Sequence, residues 1–288
     1  MVLSDTRLGL ILVFPLIALV LLVSLYPMGY SLWLSFVDVN FLTHKTSFVG
    51  LANYAETLQD PFLRNSIFVS FRFVVETTVL VTLLGLGIAL VINEKFRGVS
   101  FVKTVVILPW ALSEFATGLV GRFILDSSYG LLNAILLRIG VINQSLLFLN
   151  GANSVEWISL FYSWNLAPIG VFFILAALQT APELLYKQAK VDGASIIARF
   201  RLVTFPFIRY AVLIVIVLST IQAGGAVVIF YALTGGGPGT TSTPVPLYDF
   251  RVFLGSFNYG YGSAISWLAL IFIVTAVTGY FYILTRRK

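Results

Sequence analysis

Lys187-Gln188-Ala189-Lys190-Val191-Asp192-Gly193-Ala194-Ser195-Ile196-Ile197-Ala198-Arg199-Phe200-Arg201-Leu202-Val203-Thr204-Phe205-Pro206 is a basic, polar island between two long apolar segments. Connections between packed helices are normally short, about 2–8 residues. This one instead reads as helix, turn, helix. Gly193 is suited to the turn, and Ile196, Ile197, Phe200 and Val203 recur at helical spacing and make one apolar face. A charged surface with an apolar stripe, set between two spans, is how a membrane protein offers a docking surface to a soluble partner.

The flanks decide the fold class. Hydrophobic residues make up 59% of the 288 and charged residues 10%, with a mean hydropathy of +0.97. Soluble domains carry roughly a quarter charged residues, so this composition belongs in a bilayer. Six segments, residues 8–31, 71–92, 102–125, 155–178, 210–232 and 264–284, reach the length of a transmembrane helix, about 20 apolar residues. The expected fold is an all-α membrane protein of six transmembrane helices, a single domain over 1–288. The first apolar run is longer than a signal-peptide core, and no small-x-small cleavage pattern follows at Tyr26-Pro27, so it is read as a retained span.

Twelve of the 18 basic residues fall at the N-terminus (Arg7), in the second connection (Lys95, Arg97, Lys103), in the fourth (Lys187, Lys190, Arg199, Arg201, Arg209) and in the tail (Arg286, Arg287, Lys288). By the positive-inside rule these segments, and both termini, are cytoplasmic. The net charge of +6 is then an orientation signal, with no need of nucleic acid as a partner. The expected location is the plasma or inner membrane, multi-pass. The long connections 36–65, 126–154 and 233–263 fall outside, and Leu131–Leu137 reads as a short amphipathic helix at that interface.

Several chemistries are excluded outright. There is no cysteine, and the single histidine is His44, which leaves neither thiol catalysis nor a histidine metal cluster. No Gly-Lys dipeptide occurs, so there is no P-loop, and Gly235-Gly236-Gly237-Pro238-Gly239 reads as a turn. A membrane-embedded enzyme lacks its residues here.

Polar groups inside the spans are the remaining signal. Arg72 and Glu76, four apart, share a helix face and pair, which fits packing near the outer interface. Glu114 lies four residues after Trp110, and Pro109 interrupts that span. An aromatic and a carboxylate one turn apart can stack on a sugar and accept its hydroxyls. The fourth span carries Tyr162-Ser163-Trp164-Asn165 just before Pro168 and Gly170, where a kink is expected; the fifth carries Ser219 and Gln222 before Gly224-Gly225. Helix packing explains each cluster alone, whereas three together favour a shared polar path.

The island resembles the EAA loop of ABC-importer permeases, a pattern in which Glu-Ala-Ala-x-x-Asp-Gly-Ala leads to an apolar stretch and a proline. Asp192, Gly193, Ala194, Phe200 and Pro206 stand where that pattern has them, whereas Lys187 and Gln188 replace its glutamate and alanine. The stretches Phe48-Val49-Gly50-Leu51-Ala52-Asn53-Tyr54, Leu108-Pro109, Leu233–Thr243 and Gly260–Ala264 are similar to the carbohydrate permeases of the maltose-type and glycerol-phosphate-type group, in the first of its two unlike permease subunits. The resemblance implies a type I importer. A second permease subunit, two ATP-binding subunits that hold ATP and magnesium, and an extracytoplasmic binding protein complete it, and this chain needs no cofactor. It implies that 183–206 is the coupling loop, with Lys187, Ala189, Asp192, Gly193, Ala194, Ile197, Phe200 and Pro206 meeting the ATPase. It also implies that Trp110, Glu114, Tyr162, Trp164, Asn165, Ser219 and Gln222 lie near the bound sugar. Two alternatives stay open at this point. One is a glycerol-3-phosphate or polyol substrate, with Arg72 or Arg122 taking a phosphate. The other is an ion-coupled secondary transporter using Glu76 or Glu114.

Overall fold

The computed structural model describes residues 5–40, 45–94 and 96–285. His44, Lys95, Arg286, Arg287 and Lys288, which entered the histidine and charge readings, lie outside them. Five described helices are long and apolar enough to cross a membrane, and a sixth span is formed if one sharply bent pair is counted together. The chain divides into two compact units, Met1–Leu63 with Asp249–Ile271, and Arg64–Tyr248 with Phe272–Lys288.

The first unit opens with α1 (Asp5–Val20), a π turn (Leu21–Leu25) and α2 (Tyr26–Leu34). None of its most apolar stretch is buried against protein. A helix that is apolar all round and unpartnered is stable only with lipid or another chain as its surroundings. Beyond it the chain forms a hairpin, β1 (Val37–Asn40) antiparallel to β2 (Lys45–Phe48), with Val37 opposite Phe48 and Asn40 opposite Lys45. This small strand pair in the first long connection was not anticipated. α3 (Ala52–Gln59) follows.

Asn53 explains the Asn-Tyr motif at this place. Its buried amide donates to the carbonyls of Ser35 (2.9 Å) and Val37 (3.0 Å), while the Tyr54 hydroxyl meets Ser35 Oγ at 2.8 Å. The motif therefore staples the exit of α2 to α3.

In the second unit α4 (Pro61–Asn93, whose first turn belongs to the first unit) begins well before the expected span and ends one residue past it. α5 (Val99–Ala111) and α6 (Glu114–Leu125) meet at a 96° bend, so the third span is broken rather than merely softened at Pro109. α7 (Leu131–Arg138) is the expected short helix, and α8 (Ser154–Leu178) continues through Pro168 as one helix. α8 is the hub: Ile158 and Ile174 are fully buried. Gly170 lies so near Gly85 of α4 that a Cβ on Gly85 would stand 2.9 Å from the Gly170 backbone. Small residues at such crossings let backbones approach where lipid supplies no hydrophobic drive. Elsewhere in the core Phe73 packs edge-on against Phe230 (centroids 4.6 Å apart) and tilted against Tyr162 (5.4 Å).

The island forms α9 (Glu183–Val191), α10 (Ile196–Arg199) and a π turn (Phe200–Thr204) that runs without interruption into α11 (Phe205–Gly224). Pro206 sits in the first turn of α11 but inside a continuous rod from Ile196 to Gly224. The wider π bonding accommodates the proline's missing N–H. The fifth span accordingly lies earlier than the expected 210–232. It ends at Gly224-Gly225, since paired glycines are poor helix formers, and α12 (Val228–Leu233) is a separate short helix. The Leu233–Thr243 stretch is tied by Thr243 Oγ1 donating to Gly236 O (2.8 Å) and Ser242 Oγ to Gly237 O (2.7 Å). α13 (Val245–Phe250), a π turn (Arg251–Gly255) and α14 (Tyr259–Thr285) complete the chain.

Candidate functional site

Two places carry the expected site residues. The first is the turn between α9 and α10. Gly193 has φ +73°, a left-handed conformation that only glycine adopts without strain. Ala194 N–H donates to Ala189 O (2.9 Å) and Gly193 N–H to Lys190 O (3.2 Å), the paired bonds of a Schellman helix end. Ser195, not singled out in the sequence, then caps α10: its Oγ accepts from Ala198 N–H at 3.2 Å. The turn is thus fixed by backbone chemistry on both sides of Gly193.

The apolar face expected there splits in two. Phe200 packs inward against the core and Val203 is buried, whereas Ile196 and Ile197 are 75% and 79% exposed and Val191 87%. Lys187, Asp192 and Gly193 are also exposed, with Ala189 and Ala194 half-buried. The result is a short exposed helix bearing bare isoleucines, joined rigidly through Phe200 and the π turn to a membrane helix. Tyr186 braces it, its hydroxyl donating to Thr204 Oγ1 at 3.2 Å.

The second place lies where α5, α6, α8 and α11 approach one another. The 96° bend separates Trp110, at the end of α5, from Glu114, the first residue of α6. They do not share one helix face, and the expected one-turn pairing is corrected by the break. Glu114 instead faces the Tyr162 hydroxyl of α8. Tyr162, itself buried, donates to the Gln222 carbonyl of α11 at 3.1 Å. The Gln222 side chain lies on the exposed side of α11.

Asn165 is buried, and its amide nitrogen reaches Pro109 O (2.6 Å), Leu112 O (3.1 Å) and Thr117 Oγ1 (3.1 Å). Ser219 is buried and returns its hydroxyl to Val215 O (2.7 Å) within α11. Of the seven residues, Tyr162, Asn165 and Ser219 are therefore engaged inside the protein. Trp110 (57% exposed), Trp164 (44%), Glu114 and Gln222 retain accessible surface.

Arg72 is held by its own-helix partner Glu76 (Nε to Oε1 3.3 Å) and by Glu156 of α8, and Ser159 Oγ donates to Glu76 Oε2 at 2.9 Å. The expected Arg72–Glu76 pair is thus half of a brace between α4 and α8. Glu156 and Ser159 escaped sequence reasoning because their partners are more than 80 residues away.

An α-helical, multi-pass membrane protein with a rigid, exposed helical elbow between two spans and a polar junction inside the bundle has the build of an importer permease. The comparisons agree. No protein-family model matches the chain. It is 34% identical over 283 residues to the trehalose/maltose transport system permease protein of Thermococcus litoralis, covering 94% of this chain and 91% of that one. It is 31% identical over 282 residues to the trehalose transport system permease protein of Mycobacterium tuberculosis, covering 97% and 89%. Its fold matches that of a bacterial alginate ABC transporter, solved with an alginate pentasaccharide-bound periplasmic protein, at a TM-score of 0.83 and 20% identity over 98% of this chain and 94% of that one. The chain belongs to the sugar ABC-transporter permease family. It is a transport subunit, not an enzyme.

Proposed function

We propose that the chain forms half of the translocation path of an ATP-driven importer for a neutral sugar or oligosaccharide, with both termini cytoplasmic. Its expected partners are a second permease subunit, two ATP-binding subunits that hold ATP and magnesium, and an extracytoplasmic sugar-binding protein. The observation that carries this reading is the elbow: bare Ile196 and Ile197 on a helix continuous with a membrane span. Seated in a cleft of an ATPase, such a helix transmits a push along the rod from Ile196 to Gly224 without a flexible joint. Lys187 stands in place of the family's glutamate, so the seat rests on the apolar pair and the Gly193 turn more than on an ion pair.

Inside the bundle, Glu114, Gln222, Trp110 and Trp164 are assigned to the sugar, with Tyr162, Asn165 and Ser219 behind them. A carboxylate and an amide exchange hydrogen bonds with hydroxyls, and indole faces stack on the apolar side of a sugar ring. A phosphorylated ligand fits less well, because Arg72 is already held by two carboxylates.

The test is Gly193→Pro in the assembled transporter. Proline fixes φ near −65° and cannot take the left-handed turn. Sugar-stimulated ATP hydrolysis and uptake are expected to fall together at least tenfold while sugar binding to the extracytoplasmic protein is unaltered. Full coupling in this variant would remove the elbow from the reading.

A further inference from the structure

The break in the third span poses a problem that lipid cannot solve. At the end of α5 the last carbonyls lose their helical partners, and an unsatisfied carbonyl inside a membrane protein costs several kcal/mol. Leu112 has extended backbone (φ −80°, ψ 138°), and Ser113 caps α6 by accepting from Ala116 N–H at 3.2 Å. What remains is the carbonyl of Leu112, together with that of Pro109, which also accepts from Leu112 N–H at 3.2 Å. Both point at one side chain from another helix, Asn165. Two carbonyls only accept, so the group facing them must be the amide nitrogen. The same nitrogen reaches Thr117 Oγ1, on the first turn of α6. Asn165 therefore grips both sides of the bend at once.

Its neighbour on α8 adds the functional link. Tyr162 lies three residues before Asn165, on the same face of the helix, and meets the carboxylate of Glu114, the residue that opens α6. One face of α8 thus holds the backbone of the break through Asn165 and touches the first carboxylate beyond it through Tyr162.

We propose that Asn165 is the positioning residue of the sugar path: by holding Pro109, Leu112 and Thr117 it sets the angle of the break and so the direction in which Glu114 meets the passing sugar. This rests on the reading that Glu114 lines the path. Asn165 does not touch the sugar. It acts through α6.

The test uses the complete transporter, with maltose or trehalose as probe, whichever stimulates ATP hydrolysis more. Asn165→Ala is expected to raise the half-saturating sugar concentration roughly tenfold, the scale of one lost hydrogen bond, with a smaller change in maximal rate. Asn165→Ser, which keeps one donor, is expected to fall between Asn165→Ala and the parent, and it serves if Asn165→Ala does not assemble. Spin labels at the exposed Val105 and Val120, one on each side of the bend, are expected to report a shifted or broadened distance in both variants.

Combining Asn165→Ala with Glu114→Gln is expected to do no more harm than the worse single change, since the two act through one group. Additive effects, or a label distance that Asn165→Ala and Asn165→Ser leave unmoved, would overturn the positioning role. Failure of the underlying reading looks different: Glu114→Gln alone would then leave the half-saturating concentration unchanged, whatever the labels report.

Discussion

The first span and α8 are both apolar, and the first span is the more apolar of the two. Yet none of its most apolar window is buried in the protein, whereas two-thirds of that of α8 is. In water the ranking would be reversed, because burial follows hydrophobicity. In a bilayer the lipid tails are as apolar as leucine, so hydrophobicity places a helix in the membrane but does not draw it into a core. What draws α8 inward is the set of residues lipid serves poorly. They are Gly170 against Gly85, Ser159 on Glu76, Tyr162 on Gln222 and Asn165 on the bend. The two units differ accordingly. The second is packed around α8. The first is held by polar staples in its connections, and its long helix is bare.

The sharpest way to break that contrast is Gly85→Leu. A Cβ at Gly85 already stands 2.9 Å from the Gly170 backbone, so α4 and α8 must part; loss of folded protein in detergent, a cost of about 3 kcal/mol or more, is expected by thermal unfolding.

Asp249 tests the polar side of the first unit. Its Oδ1 is buried without a partner among the described residues, and its Oδ2 accepts from Ser266. Burial pushes its carboxyl up to about 6, against 3.8 for an unperturbed aspartate. Between those values the unfolded chain loses its proton while the folded one keeps it. The contribution of Asp249 to stability is therefore greatest below about pH 4, falls as pH rises through that window and levels off above about pH 6. The loss is at most about 3 kcal/mol. Asp249→Asn is expected to abolish that slope in unfolding measurements across pH 4–7; an unaltered slope would assign it to another group.

Asn53→Ala removes both donors to Ser35 and Val37 and leaves two carbonyls wanting, for about 2 kcal/mol, read as a lowered midpoint in chemical denaturation. Smallest is Leu16→Ala. Leu16 is 63% exposed in the isolated chain, so the change is expected to stay within about 0.5 kcal/mol there. A larger cost in the isolated chain would show that the first span does pack on its own protein.

Much of this was legible in the sequence. The number of spans, the Gly193 turn, the short helix α7, the Arg72–Glu76 pair and the family itself follow from runs, spacings and single special residues, all local features. The helix, turn and helix around Gly193 were legible for the same reason. The polar junction inside the bundle was less so. Trp110 and Glu114 look like neighbours on one helix until the 96° bend separates them. Asn165 reads like any exposed binding amide until three acceptors from another span close on it. Ser219 carried no sign that its hydroxyl would turn back on its own helix.

The sequence by itself determined that the chain lives in a membrane, roughly where it crosses, and which elbow it presents. Hydropathy, helical period and a left-handed glycine act over a few residues and need no partner. The tertiary structure alone decided which polar groups face inward and which stay available. Inside a bilayer an unpartnered buried donor or acceptor is costly, and for Asn165, Tyr162 and Arg72 a partner lies on a different helix, tens of residues away in the chain.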